Sequence, residues 1–222
     1  MDVLARLDET RAAVDVLEHP FYQRWSAGEL SSEELAHYAA EYRHAVIALA
    51  DASALAAAKA EPPYREGLER HAEEETAHVS LWDRFAESCG ARDSVCEPGG
   101  TARAETLECV RAWSAGEDLL EHLAVLYAIE AGQPAISSTK LTGLAEHYGY
   151  AEEGPASEYF SVHELRDVEH ARQARELIAE LIAATDDPEE QADRMVARAG
   201  AALRGNWRLL DGVQAHSEVS AG

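Results

Sequence analysis

The sequence predicts an all-α protein, a single bundle of about seven helices, on three observations. Alanine, glutamate, leucine and arginine, all good helix formers, dominate a chain of 222 residues that has only 7 prolines and 14 glycines. Apolar residues recur at three- and four-residue spacing along most of the chain, and no run alternates as a strand would. Breakers and caps fall between those periodic runs rather than inside them.

The first helix is expected from about Val3 to Leu17, ending before Pro20. A short helical segment around Phe21–Ser26 stops at Gly28. Ser31 and Glu34 have the spacing of a capping box. They open a long helix to about Ala60, with Leu35, Tyr38, Tyr42, Val46 and Leu49 on one face. Pro62-Pro63 breaks the chain, and the next helix runs to about Cys89, closed by Gly90. Glu97–Gly100 reads as a loop, followed by a helix to about Ser114. Another runs from Asp118 to Glu130, where Gly132 and Pro134 kink or break it before helix resumes to about Tyr148. After a loop over Gly149–Pro155, a long helix spans Ser157–Ala184, and a last one follows Pro188 as its first-turn proline. With no repeat and no long linker, residues 1–222 form one domain.

Charge narrows the partners. Nineteen Lys and Arg against 42 Asp and Glu leave −23. Such a surface repels a phosphate backbone or an anionic membrane, so neither nucleic acid nor membrane is an expected partner. No apolar run of membrane-spanning length occurs. The opening Met1-Asp2-Val3 lacks a basic region followed by an apolar core. Cys89, Cys96 and Cys109 have no CxxC spacing, and their odd number fits a reduced, cytoplasmic protein in which all three are structural.

The chemistry is carried by His163-x3-Asp167-x2-His170. At 100° per residue, positions +4 and +7 fall at about +40° and −20° from the first. All three therefore share the face that continues through Ala174, Ile178 and Leu181, which is the apolar stripe. Buried imidazoles and a buried carboxylate on successive turns call for a cation. Glu130 extends the apolar line of Leu119, Leu123, Leu126 and Tyr127. His78 shares a face with Leu81, Trp82 and Phe85, and either Glu74 or Glu75 can accompany it, with His71 two turns earlier as a further ligand. Three carboxylates and three histidines suit iron or manganese rather than calcium, and exceed the needs of one zinc. Two ions sharing six ligands leave positions for O2 and a substrate.

The segment Leu17–Leu30, with His19-Pro20-Phe21-Tyr22 and Trp25, resembles the opening of the TenA/PQQ-synthase-like, haem-oxygenase-like superfamily. Tyr127–Ile136 with Glu130 and Pro134, followed by Lys140 and Gly143-Leu144, is similar to its central helix. Together with His163-x3-Asp167-x2-His170, the resemblance narrows to the haem-oxygenase-like di-metal oxidases, nearest to their chlamydial branch, which associates with death domains. It implies a haem-oxygenase-like, TenA-like seven-helix bundle. It implies two iron ions, or iron and manganese, on Glu74, His78, Glu130, His163, Asp167 and His170, with O2 as co-substrate, an external reductant and a possible homodimer. In the chlamydial branch the Glu and His of the Glu74–His78 helix stand seven residues apart, and here that stretch is about three residues shorter.

Three activities are compatible with the resemblance. The preferred expectation is O2-dependent oxidation of a separate small amine or amino-acid-like molecule in a biosynthetic pathway. The alternative is a self-sacrificing p-aminobenzoate synthase that consumes its own Tyr22, with Lys140 as nitrogen donor and Tyr38 beside it. Tyr22 and Lys140 also have ordinary structural explanations, which places this second. The third is a non-metal TenA-like hydrolase or binding protein, for which the six-ligand set has no purpose.

Overall fold

A computed structural model describes residues 2–91 and 102–220. Cys96 and the expected loop Glu97–Gly100 lie outside the described residues. Among these, the elements are α1 (Val3–Ala13), a 3-10 turn (Val16–Glu18), α2 (Pro20–Ala27), α3 (Ser32–Lys59), α4 (Arg65–Ser88), α5 (Ala104–Ser114), α6 (Leu119–Glu130), α7 (Gln133–Glu146), α8 (Glu158–Ile182) and α9 (Pro188–Ser220). The described residues contain no strand, and no helix among them is long and apolar enough to cross a membrane.

The boundaries follow local chemistry. Ser31 and Glu34 form the reciprocal capping box: Glu34 N–H donates to Ser31 Oγ at 3.2 Å, and Ser31 N–H donates to Glu34 Oε2 at 2.8 Å. Gly28 ends α2 at φ +71°. A Cβ there would meet the His147 ring at 2.8 Å, so the turn needs glycine for conformation and for space. The expected helix from Val3 to Leu17 is shorter than the periodicity suggests. It stops at Ala13, because the Asp15 carboxylate accepts from Leu17 N–H at 3.0 Å and starts a new 3-10 turn. At Gly132 and Pro134 the chain breaks rather than kinks, giving α6 and α7.

The helices place a polar layer between two apolar clusters. One cluster gathers Phe21, Tyr22, Trp25, Tyr38, Tyr42, Trp82, Phe85, Tyr159 and Phe160. The other gathers Leu4, Leu7, Leu123, Ala174, Ile178 and Met195. α8 enters the first through Tyr159 and Phe160 and the second through Ala174 and Ile178. α4 likewise gives Trp82 and Phe85 to the first and packs Leu68 on the second. The polar stretches 71–78 and 163–170 lie between, held from both ends by side chains whose burial contributes roughly 1.5–3 kcal/mol each. Cys89 and Cys109 are buried thiols raised by burial, Cys89 to about 11, and they play the packing part expected of them.

Candidate metal centre

α8 presents His163, Asp167 and His170 on one inward face, with His163 fully buried and Asp167 at 1% exposure. His163 Nδ1 donates to the Tyr159 carbonyl at 2.7 Å, because a carbonyl can only accept. That fixes the tautomer and turns Nε2 toward Glu75 Oε2, 3.7 Å away. The Tyr159 ring stacks on the same imidazole with centroids 4.0 Å apart.

Across from it, α4 presents His71, Glu75 and His78 with the same spacing, His-x3-acid-x2-His. Glu75 is the hub. Its Oε1 lies 3.2 Å from His78 Nδ1, 3.8 Å from His170 Nδ1 and 3.9 Å from His71 Nε2. Two groups that could hold a metal ion share it: His71, Glu75 and His170, and Glu75, His78 and His163. Glu130, wholly buried on α6, brings Oε1 to 2.9 Å from His71 Nε2.

Electrostatics show how tightly these groups are bound to one another. Burial works to raise the Glu75 carboxyl, but His163 and His78 outweigh it and hold it below the carboxylate range. Burial pushes Glu130 up against the opposing pull of His71. His71 is disfavoured as a cation by burial, yet Glu130 and Glu75 lift it to about 9. Even so, Glu130 Oε2, His163 Nε2, both Asp167 oxygens and His170 Nδ1 have no hydrogen-bond partner, and the His71–Glu130 and His78–Glu75 pairs meet without hydrogen-bond geometry. Buried polar atoms are nearly always paired. Unpaired lone pairs from three helices converging on one space fit a bound cation, and the mixed imidazole and carboxylate donors fit iron or manganese.

The structure thus brings together His78, Glu130, His163, Asp167 and His170, as the sequence predicts. It does not place Glu74 among them. Glu74 points to the rim, 30% exposed, where its Oε2 meets His170 Nε2 at 3.3 Å and its Oε1 meets Arg166 at 3.5 Å. Glu75, at 2% exposure, holds the central position instead, joined by His71. Between the two glutamates the sequence offers beside His78, the geometry favours Glu75 over the expected Glu74, because α4 packs the face through His71, Glu75 and His78 against α8. The repeat of the α8 spacing on α4 is the pattern that identifies both residues.

Beside this layer lies an aromatic box. Lys140, buried on α7, donates from Nζ to the Tyr38 hydroxyl at 2.5 Å. Its Nζ lies 5.4 Å from the centre of the Tyr22 ring, 5.0 Å from Tyr42 and 4.9 Å from Phe160. Burial drives the Lys140 amine well below its ordinary range, because an ammonium there would lose its solvation. The phenols of Tyr22, Tyr38, Tyr42 and Tyr159 are all pushed up by the same burial. Tyr159, missed in the sequence, joins the two regions: it touches His163 on one side and Trp82 and Phe160 on the other. Its position four residues before His163 was the available clue.

The sequence profile of the TENA/THI-4/PQQC family matches residues 7–205. The 4-aminobenzoate synthase of Nitrosomonas europaea is 34% identical over 89% of this chain and 85% of its own length. The 4-aminobenzoate synthase of Chlamydia muridarum is 32% identical over 88% of this chain and 86% of its own. That chlamydial relative carries this name, not one referring to death domains. Among solved structures, a domain of unknown function with a haem oxygenase-like fold from Shewanella denitrificans superposes with a TM-score of 0.82, at 19% identity, over 100% of this chain and 96% of its own.

Proposed function

The chain belongs to the TENA/THI-4/PQQC family, and we propose that within it this protein is a 4-aminobenzoate synthase that consumes its own Tyr22 and takes nitrogen from Lys140. The names of its relatives support this reading over the oxidation of a separate amine. The observation that carries it is Lys140: a buried amine inside a box of aromatic rings that includes Tyr22 and Tyr38, with a cluster of buried imidazoles and carboxylates that could hold metal joined to it through Tyr159.

Each residue has a part that follows from its surroundings. Glu75, His78 and His163 would hold one ion, and His71, Glu75 and His170 the other, with Glu130 and Asp167 completing the shells. A bound redox-active metal pair, with O2 and an external reductant, would supply the oxidising equivalents. The chain supplies position and exclusion of water. Trp25, Trp82 and Phe160 enclose Tyr22 and Tyr38, so the reacting ring and amine stay dry. The Tyr38 hydroxyl accepts from Lys140 Nζ and aims the amine. The Tyr22 hydroxyl beside it is buried with no hydrogen-bond partner. The carbon skeleton of 4-aminobenzoate is accounted for by the ring of Tyr22 and its Cβ: Cα–Cβ would be severed and Cβ oxidised to the carboxylate by O2, the ring C–N bond would replace the phenolic C–O bond, and Lys140 would give up Nζ by cleavage of Cε–Nζ, so each chain reacts once.

A second reading, oxidation of a separate small molecule, draws on one observation. A cavity of about 420 Å³, walled by Leu68, Leu123, Leu126 and Leu177, opens onto His71 and His170. Product stoichiometry separates the two. Protein loaded anaerobically with iron, then given reductant and O2, is expected to release at most one 4-aminobenzoate per chain. Repeated turnover, or no 4-aminobenzoate at all, would remove this proposal.

A further inference from the structure

The two end histidines of the α8 motif face the centre through different ring nitrogens. His163 points Nε2 inward and anchors Nδ1 on the Tyr159 carbonyl. His170 does the reverse: Nδ1 lies 3.5 Å from Asp167 Oδ1 and 3.8 Å from Glu75 Oε1, while Nε2 points out to Glu74 Oε2 at 3.3 Å. An unanchored imidazole exchanges its proton between the two nitrogens and can turn about its Cβ–Cγ bond. Carboxylates stand near both nitrogens, but only the Nε2 contact to Glu74 has hydrogen-bond geometry, and since a carboxylate only accepts, that bond places the proton on Nε2 and turns Nδ1 inward. Glu74 can serve in this way because it is itself held: its second oxygen faces Arg166, on the same outer rim of α8.

We propose that Glu74 is a positioning residue of the metal centre, which accepts a hydrogen bond from His170 Nε2–H and so fixes His170 as an Nδ1 ligand. Carboxylate partners of this kind orient imidazole ligands and raise their basicity, and their removal weakens metal binding. The proposal rests on the metal-centre reading above, but not on the identity of the product. It also gives the run Glu73-Glu74-Glu75 a division of labour. Glu73 is solvated, Glu74 orients a ligand from outside, and Glu75 lies among the ligands.

The test is an anaerobic titration with cobalt(II), followed by its visible absorption and by elemental analysis, on wild type and on Glu73→Ala, Glu74→Ala and Glu74→Gln. The amide oxygen of Glu74→Gln still accepts from Nε2–H, so that variant should keep its affinity within a few-fold. Glu74→Ala should lose on the order of 10–100-fold in affinity for one ion of two, with a changed absorption envelope. Glu73→Ala should match wild type. Nitrogen-15 spectra of the metal-free protein give a second readout, with the His170 proton on Nε2 in wild type and in Glu74→Gln. Glu74→Ala binding both ions as wild type does would overturn the proposal, as would Glu74→Gln failing as badly as Glu74→Ala, since the carboxylate would then be a ligand itself. Wild type that binds no cobalt would instead bring down the metal centre as a whole.

Discussion

Lys140 donates from Nζ to the Tyr38 hydroxyl at 2.5 Å, inside a box walled by the rings of Tyr22, Tyr42 and Phe160. Three measurements bear on that contact and on the metal centre beside it.

The first is a pH dependence of stability. Burial lowers the Lys140 amine well below its ordinary range in the fold, whereas in the unfolded chain it is protonated up to about pH 10.4. Between the depressed folded value and that limit the unfolded chain binds one more proton, so stability rises with pH. Lys140→Met has no such contribution. Urea unfolding at pH 7 and pH 9.5 should show wild type gaining on Lys140→Met by up to about 1.4 kcal/mol per pH unit. A gap that stays constant with pH would mean that Lys140 is charged in the fold.

The second concerns Glu75. Because it belongs to both candidate groups, Glu75→Ala should abolish the binding of both ions. Iron(II) at a hundred times its dissociation constant should stabilise wild type by about 2.7 kcal/mol per site, and should leave the melting temperature of Glu75→Ala unchanged. Equal stabilisation of the two proteins would rule Glu75 out as the hub.

The third tests the floor of the aromatic box. A Cβ at Gly143 would collide with Trp25 Nε1 and come within 2.6 Å of Trp25 Cδ1. Trp25 is fully buried, packs against Tyr38, and its Nε1–H donates to the Lys140 carbonyl at 3.4 Å. Gly143→Ala should therefore cost about 1–3 kcal/mol of stability and disturb the Lys140–Tyr38 contact. Unfolding curves that superpose on wild type would show that the helices part without strain.

How much of this was legible in the sequence depends on whether one helix could settle the question. His163, Asp167 and His170 share a face by arithmetic alone, and Glu130 continues an apolar line, so both were readable. The run Glu73-Glu74-Glu75 was not, because adjacent residues sweep most of a helix circumference and only packing against α8 selects Glu75. His71-x3-Glu75-x2-His78 repeats the α8 spacing, and that repeat was the usable pattern. The aromatic box draws Tyr22, Tyr38, Lys140 and Phe160 from four helices, and no local pattern states that those four meet. The end of α1 escapes the sequence pattern for a similar reason: hydrophobic periodicity runs past Ala13, and a single side-chain cap from Asp15 outweighs it.

The central claim is that Tyr22 becomes product. The direct measurement is the mass of the Tyr22 peptide, and of the intact chain, before and after one exposure of the iron-loaded, reduced protein to O2. The Tyr22 peptide should lose side-chain mass in step with the 4-aminobenzoate released, and Tyr22→Phe should release none while still binding iron. A Tyr22 peptide of unchanged mass alongside released 4-aminobenzoate would contradict it.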